Sequence, residues 1–424
     1  MLDIKFIREN KEKVKKNAQA RGVDIDIDAL LELDEKRREL IQKVESLRAE
    51  QNKVSEEIAK EKDEKTRNEK ISEMKKVKEE MAELESELKE VEEKFNSIML
   101  AVPNMMQPDV PLGKDENDNV VLREVGEKPD FDFEPKDYME IAAEFDLIDT
   151  ERAAKVSGSR FGYLKNEAAM LEFALVQLAM ETLIKENFKP IIPPVMIKTE
   201  AMKAMGYIDS EADQKERYFF EEDSLYLVGT SEQSIGPMHM NEILEENDLP
   251  IRYAGFSTCF RREAGSYGKD TKGILRVHQF DKIEMFSFCR PEDSVKEHQL
   301  LLSMEEKLMQ VLKLPYRVTQ LCSVDFARPS SATFDIETWI PSENKFRETH
   351  STSNCTDFQA RRLNIKYKNS VSKKSEFVHT LNGTAFAAGR IMIAILENYQ
   401  QEDGSVVVPE ALVKYTGFEK IGKK

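Results

Sequence analysis

The chain has 424 residues, enough for two or three domains, and 40% of them are hydrophobic, which allows a sizeable core. Its net charge of −17 excludes a surface that is basic throughout, so any contact with RNA must be confined to a local basic stripe. Four widely separated cysteines argue against a zinc knuckle or disulfide framework and predict a cytoplasmic protein, and the chain shows neither an apolar N-terminal run nor an apolar segment of about 20 residues.

The N-terminal region, residues 1–103, carries two long helical patterns. The first has apolar residues seven positions apart, at Leu33, Leu40, Leu47 and Val54. A break near 62–65 follows, where Thr66 and Glu69 have capping-box spacing, and a second stripe covers 74–98. The periodicity predicts either an antiparallel helical hairpin or an oligomerisation coiled coil. Acidic residues interleave with the lysines and arginines, so the basic stripe stays a hypothesis.

Prolines at 103, 108 and 111 predict a boundary between residues 1–103 and residues 104–424. Beyond it, 167–188 has the pattern of an amphipathic helix and runs into 189–197, KPIIPPVMI, a predicted edge strand. A short strand predicted at 225–228 leads to Gly-Thr-Ser-Glu at 229–232. Hydroxyl groups beside a carboxylate suit the recognition of an ammonium and a hydroxyl, although such a run is also typical of a polar turn.

Residues 259–289 are predicted to form a hairpin around a Gly-rich, charged loop. By alternation, Arg261 and Glu263 share one face of the first strand. One face of the second strand gathers Arg276, His278, Phe280, Lys282 and Glu284. Half-buried strands usually place apolar side chains on one face, so this mixture of charges and a ring favours a nucleotide site over a solvated face.

Two further segments carry candidate chemistry. Residues 333–354 predict a second hairpin with its turn at 341–344, in which Phe346, Glu348 and His350 share a face. The Glu348 carboxylate is a candidate Mg²⁺ ligand. Residues 379–399 predict a strand end, an Asn-Gly turn and a helix with Arg390 near its start. The positive end of the helix dipole disfavours a cation near the helix start unless an anion binds it. Arg390 is therefore either a salt-bridged surface residue or a phosphate clamp.

Together these segments resemble the seryl-tRNA synthetases, a family of class II aminoacyl-tRNA synthetases. FRRE at 260–263 with RVHQF-x-K-x-E at 276–284 resembles motif 2 of the class, 167–197 resembles motif 1, and 379–390 resembles motif 3. The first ten residues, RAAKVSGSRF at 152–161 and DFQARR at 357–362 are also similar to the family. His350 and Thr384 stand where the family usually or often has serine.

The resemblance implies an α+β protein. An N-terminal antiparallel helical hairpin over 1–103 would bind tRNA, and an antiparallel β-sheet catalytic domain flanked by helices would occupy 104–424. It implies a homodimer, without membrane association, that attaches L-serine to tRNA(Ser) through a seryl-adenylate, with ATP as substrate, Mg²⁺ as cofactor and tRNA(Sec) left open as a second acceptor. The alternatives are a synthetase for another amino acid, a synthetase-like binding protein without activity, and a coiled-coil scaffold carrying an unrelated domain.

The resemblance also implies roles for individual residues. The catalytic residues are Arg261, Glu348 and Arg390. The serine-binding residues are Thr230, Ser231, Glu232, Arg261, Glu284, Asn382 and Thr384. The ATP-binding residues are Arg261, Arg262, Glu263, Val277, His278, Gln279, Phe280, Glu348, Thr349, His350, Ser351 and Arg390. The Mg²⁺ ligands are Glu348 and Ser351.

Overall fold

The computed structural model describes residues 1–264 and 272–423. The chain divides into two compact units, one of residues 2–103 and one of residues 104–424 together with Met1. No helix in the described ranges combines the length and the apolar character that crossing a membrane requires.

The N-terminal unit is helical. Its elements are α1 (Ile4–Glu9), α2 (Lys11–Ala20), α3 (Ile27–Lys60) and α4 (Glu64–Ala101). Helices α3 and α4 run antiparallel, and ion pairs join them at Arg37–Glu92, Arg48–Glu85 and Lys70–Glu57. Buried apolar residues of the two stripes include Leu40, Val44, Met74, Val91 and Phe95. The predicted helical hairpin is confirmed, since each helix covers the other's apolar stripe.

The start of α4 differs from the prediction. The helix begins at Glu64, and the Asp63 carboxylate accepts hydrogen bonds from the Thr66 amide at 2.9 Å and from its hydroxyl at 2.7 Å. Asp63 is therefore the N-cap, and the capping box predicted from Thr66 and Glu69 is wrong. A carboxylate is a strong cap because it accepts from the free amides of the first turn.

The second unit is mixed. Its helices are α5 (Tyr138–Phe145), α6 (Thr150–Ser157), α7 (Asn166–Lys185), α8 (Thr199–Met205), α9 (Glu211–Lys215), α10 (Glu232–Ile235), α11 (Ser294–Val311), α12 (Phe358–Leu363), α13 (Ala388–Asn398) and α14 (Glu410–Thr416). Its strands are β1 (Val120–Val125), β2 (Ile148–Asp149), β3 (Tyr163–Leu164), β4 (Lys189–Ile191), β5 (Met196–Lys198), β6 (Phe219–Phe220), β7 (Leu225–Leu227), β8 (Ile243–Glu245), β9 (Ile251–Phe260), β10 (Gln279–Cys289), β11 (Tyr316–Gln320), β12 (Ala332–Ile340), β13 (Lys345–Asn354), β14 (Lys366–Lys368), β15 (Ser375–Phe377), β16 (His379–Ala387), β17 (Val406–Val407) and β18 (Lys420–Ile421).

An eight-stranded sheet is the centre of this unit, in the order β1-β11-β12-β13-β16-β10-β9-β4. Only the β4–β9 pairing in it is parallel among the described strands. Alternate side chains of β10 enter two different cores. Ile283 and Met285 pack in the cluster formed with α7, α11 and α13, whereas Phe286 and Phe288 pack in a second cluster with residues of α8 and α12. The predicted α+β class is confirmed.

The predicted strand at 189–197 is wrong in one respect. It is two strands, and they belong to different sheets: β4 pairs with β9, and β5 pairs with β7. Pro193 and Pro194 stand between them and offer no amide hydrogen to a sheet ladder. The break is thus a direct consequence of the two prolines.

The two predicted hairpins are present, with shorter strands in the first. Strand β9 ends at Phe260 and β10 begins at Gln279, so Arg261, Glu263, Arg276 and His278 lie beyond the strands and not on a strand face. Residues 265–271 of the predicted Gly-rich loop lie outside the described residues. The second hairpin is formed by β12 and β13, with its turn at 341–344 as predicted.

Candidate active site

Two adjoining cavities lie beside β10, β13 and β16. Cavity A, of about 180 Å³, is lined by eight of the predicted residues, Thr230, Glu232, Arg261, Glu284, Glu348, Ser351, Asn382 and Thr384. Cavity B, of about 60 Å³, is lined by Arg261, Glu263, Val277, Phe280, Glu348, Thr349, Thr384 and Arg390. Arg261, Lys282, Glu348 and Thr384 line both cavities, so the two share walls.

Four predicted residues line neither cavity for simple geometric reasons. Ser231 is fully buried and donates from Oγ to the Gly255 carbonyl at 3.3 Å. The His278 Nδ1 atom is bonded to the Arg261 carbonyl at 2.9 Å, and the Arg262 guanidinium lies over the Tyr218 ring. Gln279 lines a different, neighbouring cavity of about 300 Å³. The structure does not bring these four side chains to the predicted site.

His350 is the fifth exception, and a β-bulge explains it. Glu348 pairs with Glu337 and His350 pairs with Ile336, so Thr349 is an extra residue in β13. The bulge reverses the alternation, places Ser351 on the cavity side with Glu348, and turns His350 into the core near the Phe386 ring. The predicted shared face of Glu348 and His350 is therefore wrong. Burial lowers the pKa of His350 to about 3, so the ring stays neutral.

The predicted Asn-Gly turn at 382–383 is also wrong. Both residues lie inside β16, where Asn382 pairs with Phe286 and Ser353, and Gly383 pairs with Met285 and Thr352. A second bulge in β16, at Ala385, sets Thr384 directly opposite Glu284. Asn-Gly is a local turn signal, but pairing with a strand on each side overrides it.

Acidic groups form one wall of cavity A. The Glu284 Oε2 atom lies 2.5 Å from Lys282 Nζ and accepts from Thr384 Oγ1 at 3.3 Å. Glu232 is buried nearby, and the loss of solvent together with the charge of Glu284 raises its pKa to about 8. This wall suits a ligand that carries an ammonium and a hydroxyl group.

Guanidinium groups also line cavity A and continue into cavity B. Arg261 Nε donates to the Gly229 carbonyl at 3.1 Å, and its guanidinium lies 5.3 Å from the centre of the Phe280 ring. Arg390 donates to the Glu348 carbonyl at 2.8 Å and lies 3.4 Å from its carboxylate. Loss of solvent tends to raise the pKa of Glu348, but Arg390 and Arg261 outweigh it and hold that pKa below its ordinary value. Two guanidinium forks beside an aromatic ring suit phosphate and a base.

Three residues at or beside the site, Lys282, Arg217 and Glu305, have no role predicted from the sequence. Lys282 was detectable, because it lies two residues before Glu284 on the same strand face. Glu305 was detectable too: it interrupts the apolar stripe of α11 between Leu301 and Leu308, and it is fully buried. Arg217 belongs to no motif, and only the fold brings it to cavity A.

A magnesium ion fits this donor set only together with substrate oxygens. Glu348 and Ser351 offer a carboxylate and a hydroxyl oxygen to cavity A. Among the described residues no group of three or more His, Cys, Asp and Glu side chains could hold a metal. Mg²⁺ binds in just this way, through one or two carboxylates with phosphate oxygens and water.

Comparisons with known proteins agree with this geometry. Residues 1–106 match the family model of the seryl-tRNA synthetase N-terminal domain, and residues 218–399 match that of the tRNA synthetase class II core domain (G, H, P, S and T). The serine–tRNA ligase of Dictyoglomus turgidum is 47% identical over the full length of both chains. That of Nitrosopumilus maritimus is 42% identical over 99% of this chain and 100% of the relative.

Solved structures give the same result. Seryl-tRNA synthetase from Pyrococcus horikoshii, complexed with ATP, superposes with a TM-score of 0.90 at 41% identity over 100% of both chains. The cytoplasmic serine–tRNA ligase of Naegleria fowleri, in complex with AMP, has a TM-score of 0.86 at 33% identity over 100% of this chain and 99% of the other.

The core match and the arginine-lined cavities define the second unit as the catalytic unit of a class II aminoacyl-tRNA synthetase. The full-length relatives and the N-terminal match narrow this further: the chain belongs to the seryl-tRNA synthetase family. The family predicted from the motifs is thereby confirmed.

Proposed function

We propose that this chain activates L-serine with ATP and transfers it to tRNA(Ser). The observation that carries the proposal is the wall of cavity A, where Glu284, held by Lys282 and Thr384, lies beside Glu232 and opens onto the arginines of cavity B. A zwitterionic amino acid with a hydroxyl group fits cavity A, and a polyphosphate fits the arginines. The two ligands would then meet at Arg261, which lines both cavities.

In the first step, a serine carboxylate oxygen forms a bond to the α-phosphorus of ATP. The bond from that phosphorus to the bridging oxygen breaks, and pyrophosphate leaves with the electron pair. Arg261 would contact both the carboxylate and the α-phosphate, so it would hold the reacting atoms together and stabilise the charge that develops between them. Phe280 and Glu263 would hold the adenine, and Arg390 would hold the γ-phosphate.

Mg²⁺ bound by Glu348 and Ser351 would neutralise charge on the phosphates. In the second step, a ribose hydroxyl of the terminal tRNA adenosine attacks the seryl carbonyl, and AMP leaves. No histidine occurs among the described residues that line cavities A and B. The hydroxyl proton is therefore proposed to pass to a phosphate oxygen of the adenylate, since general-base catalysis requires a group within hydrogen-bond reach.

Selectivity for serine follows from the acidic wall. Alanine and glycine would leave the Glu284 carboxylate and the Thr384 hydroxyl without their partner. A site built to bind a hydroxyl rejects analogues that lack it by roughly 10⁴ or more. Threonine would be excluded by the lack of room for its methyl group.

The experiment is amino-acid-dependent ATP–pyrophosphate exchange without tRNA, using serine, threonine, alanine, glycine and cysteine. Exchange with serine alone is expected. Glu284→Ala should abolish exchange while ATP binding is retained, and Glu245→Ala, which removes an exposed carboxylate on β8, should change neither. Exchange with another amino acid overturns the assignment of the cavity, and exchange with none favours the inactive binding protein.

The proposal extends to the assembly. Residues 1–103 are proposed as the tRNA-binding arm and 104–424 as the catalytic domain of a cytoplasmic homodimer. Aminoacylation assays with tRNA(Sec) decide whether this tRNA is a second acceptor.

The proposed dimer face has exposed apolar residues on and after α7, namely Phe173, Ile184 and Ile192, whose exposed fractions are 66%, 49% and 81%. Phe173→Asp should shift the sedimentation equilibrium from dimer to monomer, and an unchanged dimer contradicts this face.

A further inference from the structure

Arg217 reaches cavity A from the segment between α9 and β6. Its guanidinium lies 5.4 Å from the centre of the Tyr207 ring. A methyl group added at Gly229 would lie 3.5 Å from Arg217 Nη1 and 3.6 Å from Arg261 Cγ. Two arginines therefore flank the same glycine at the edge of one cavity.

No carboxylate forms an ion pair with Arg217 within the part of the chain that the structure describes. The Arg217 Nε atom is buried and donates to no acceptor among the described residues. Burial, and then the like charge of Arg261, lower the pKa of Arg217 to about 10. Two neighbouring guanidinium groups repel each other at a cost that an anionic ligand removes.

Further donors without partners belong to residues that line cavity A. The Gln233 Oε1 atom accepts from the Gly229 amide at 2.8 Å, while its Nε2 atom is buried and bonds to nothing in the described ranges. Thr230 Oγ1 is likewise buried without a partner there. Cavity A is thus lined both by donors, at Arg217, Gln233 and Thr230, and by the acidic groups of Glu232 and Glu284. A zwitterion matches this combination, because its carboxylate needs donors and its ammonium needs acceptors.

We propose that Arg217 is a substrate-binding residue that, together with Arg261, holds the α-carboxylate of the amino acid before activation. The proposal rests on the proposed function of cavity A. The carboxylate is favoured over a phosphate because Arg217 lines cavity A and not cavity B, where Arg390 lies. Formation of the acyl phosphate removes the carboxylate's charge, so Arg217 acts mainly on the bound substrate and its loss raises KM more than it lowers kcat.

The test uses the full-length chain in the pyrophosphate-exchange assay with L-serine. Arg217→Gln should raise KM for serine by about tenfold to a hundredfold, the effect of losing a charge-assisted hydrogen bond, while KM for ATP is unchanged. Arg217→Lys should recover part of the loss, since it restores the charge without the fork. Lys215→Gln is the matched control: it removes one positive charge two residues away, from an exposed side chain at the end of α9.

A second ligand separates recognition of the carboxylate from a structural effect. L-serinamide keeps the ammonium and hydroxyl groups but has no carboxylate. Wild-type protein should bind L-serine more tightly than L-serinamide, and Arg217→Gln should reduce that preference by the same factor by which it raises KM for serine. The melting temperature without ligand should change little, because the substitution removes the repulsion from Arg261 together with the contact to the Tyr207 ring.

The opposing outcomes are distinct. Equal losses for L-serine and L-serinamide would assign Arg217 a structural role. An effect on KM for ATP or for tRNA alone would assign the anion to a phosphate, and unchanged serine kinetics would also overturn the proposal. Absence of serine-dependent exchange in the wild-type protein would instead overturn the proposed function, so the two failures are distinguishable.

Discussion

At the scale of single residues, the site holds several buried glutamates close to the ammonium group of Lys282. Glu232, Glu284 and Glu305 gather around β10 and β16, and burial raises the pKa of Glu305 well above its ordinary value. The Lys282 ammonium contacts Glu284 at 2.5 Å. The pKa of about 8 for Glu232 means that this carboxyl is mostly protonated at neutral pH. A substrate ammonium reverses this preference, because an opposite charge favours the ionised form.

This coupling predicts a pH-dependent affinity for serine. Glu232 must lose its proton to receive the ammonium, so affinity should rise between about pH 6.5 and pH 8.5, and binding near neutral pH should release close to one proton per site. Calorimetric titration with L-serine, without ATP, in buffers of different ionisation enthalpy measures both quantities. Glu232→Gln should bind serine more weakly, with a flatter pH profile. Affinity independent of pH, without proton release, would contradict the charge balance.

Residue types in the site were predictable from the sequence, but several side-chain directions were not. The alternation that correctly placed Phe280, Lys282 and Glu284 together failed for His350, because a bulge adds one residue and reverses which side chains face the cavity. The sequence carries no local signal for that extra residue. Arg217 was out of reach for a different reason: it belongs to no motif, and the pairing of the short strands β6 and β7 brings its segment back to Gly229, beside Arg261.

At the scale of elements, two bulges in neighbouring strands shape the cavities. One, at Thr349 in β13, brings Glu348 and Ser351 to the same side, and the other, at Ala385 in β16, sets Thr384 opposite Glu284. The hairpins themselves were predictable because their strands alternate and their turns carry turn residues. The Asn-Gly pair wrongly predicted a turn, because β16 pairs with a strand on each side. Gly383 is tightly packed there: a methyl group added to it would lie 3.0 Å from Thr352 Oγ1 and 3.1 Å from Glu305 Oε1.

Gly383→Ala should therefore destabilise the protein. The added methyl group would press on Thr352 Oγ1, which donates to the Asn382 carbonyl at 2.8 Å, and overpacking of a tight core costs about 1–3 kcal/mol. The free energy of unfolding from denaturant titration measures the effect. Gly389→Ala in α13 is the control, because its added methyl group would lie no closer than 3.8 Å to the nearest atom and should cost little. Equal stability of the two variants would show that β16 is not tightly packed at Gly383.

At the scale of the whole molecule, an acidic chain that handles RNA must concentrate its positive charge. Several cationic side chains of α3 form ion pairs with acidic side chains of α4, namely Lys36–Glu87, Arg37–Glu92 and Arg48–Glu85. These pairs join the two helices of the hairpin. Exposed cations around the turn have no ion pair with a described residue, and they are Lys60, Lys62, Lys65 and Arg67. The turn is thus one part of the hairpin whose positive charge is left for phosphates, together with exposed lysines of the arms such as Lys53 and Lys76.

Replacing these four residues by glutamine should weaken tRNA binding while leaving serine-dependent pyrophosphate exchange unchanged, because the cavities lie entirely in the second unit. For each phosphate that the variant no longer neutralises, the dependence of log K on log[salt] should become shallower by about 0.7–0.9. Filter binding of tRNA(Ser) over a range of salt concentrations measures both the affinity and the slope. The control replaces four exposed lysines of the second unit, Lys114, Lys368, Lys373 and Lys374, by glutamine. An equal loss for both variants would mean that net charge, and not the turn of the hairpin, determines tRNA binding.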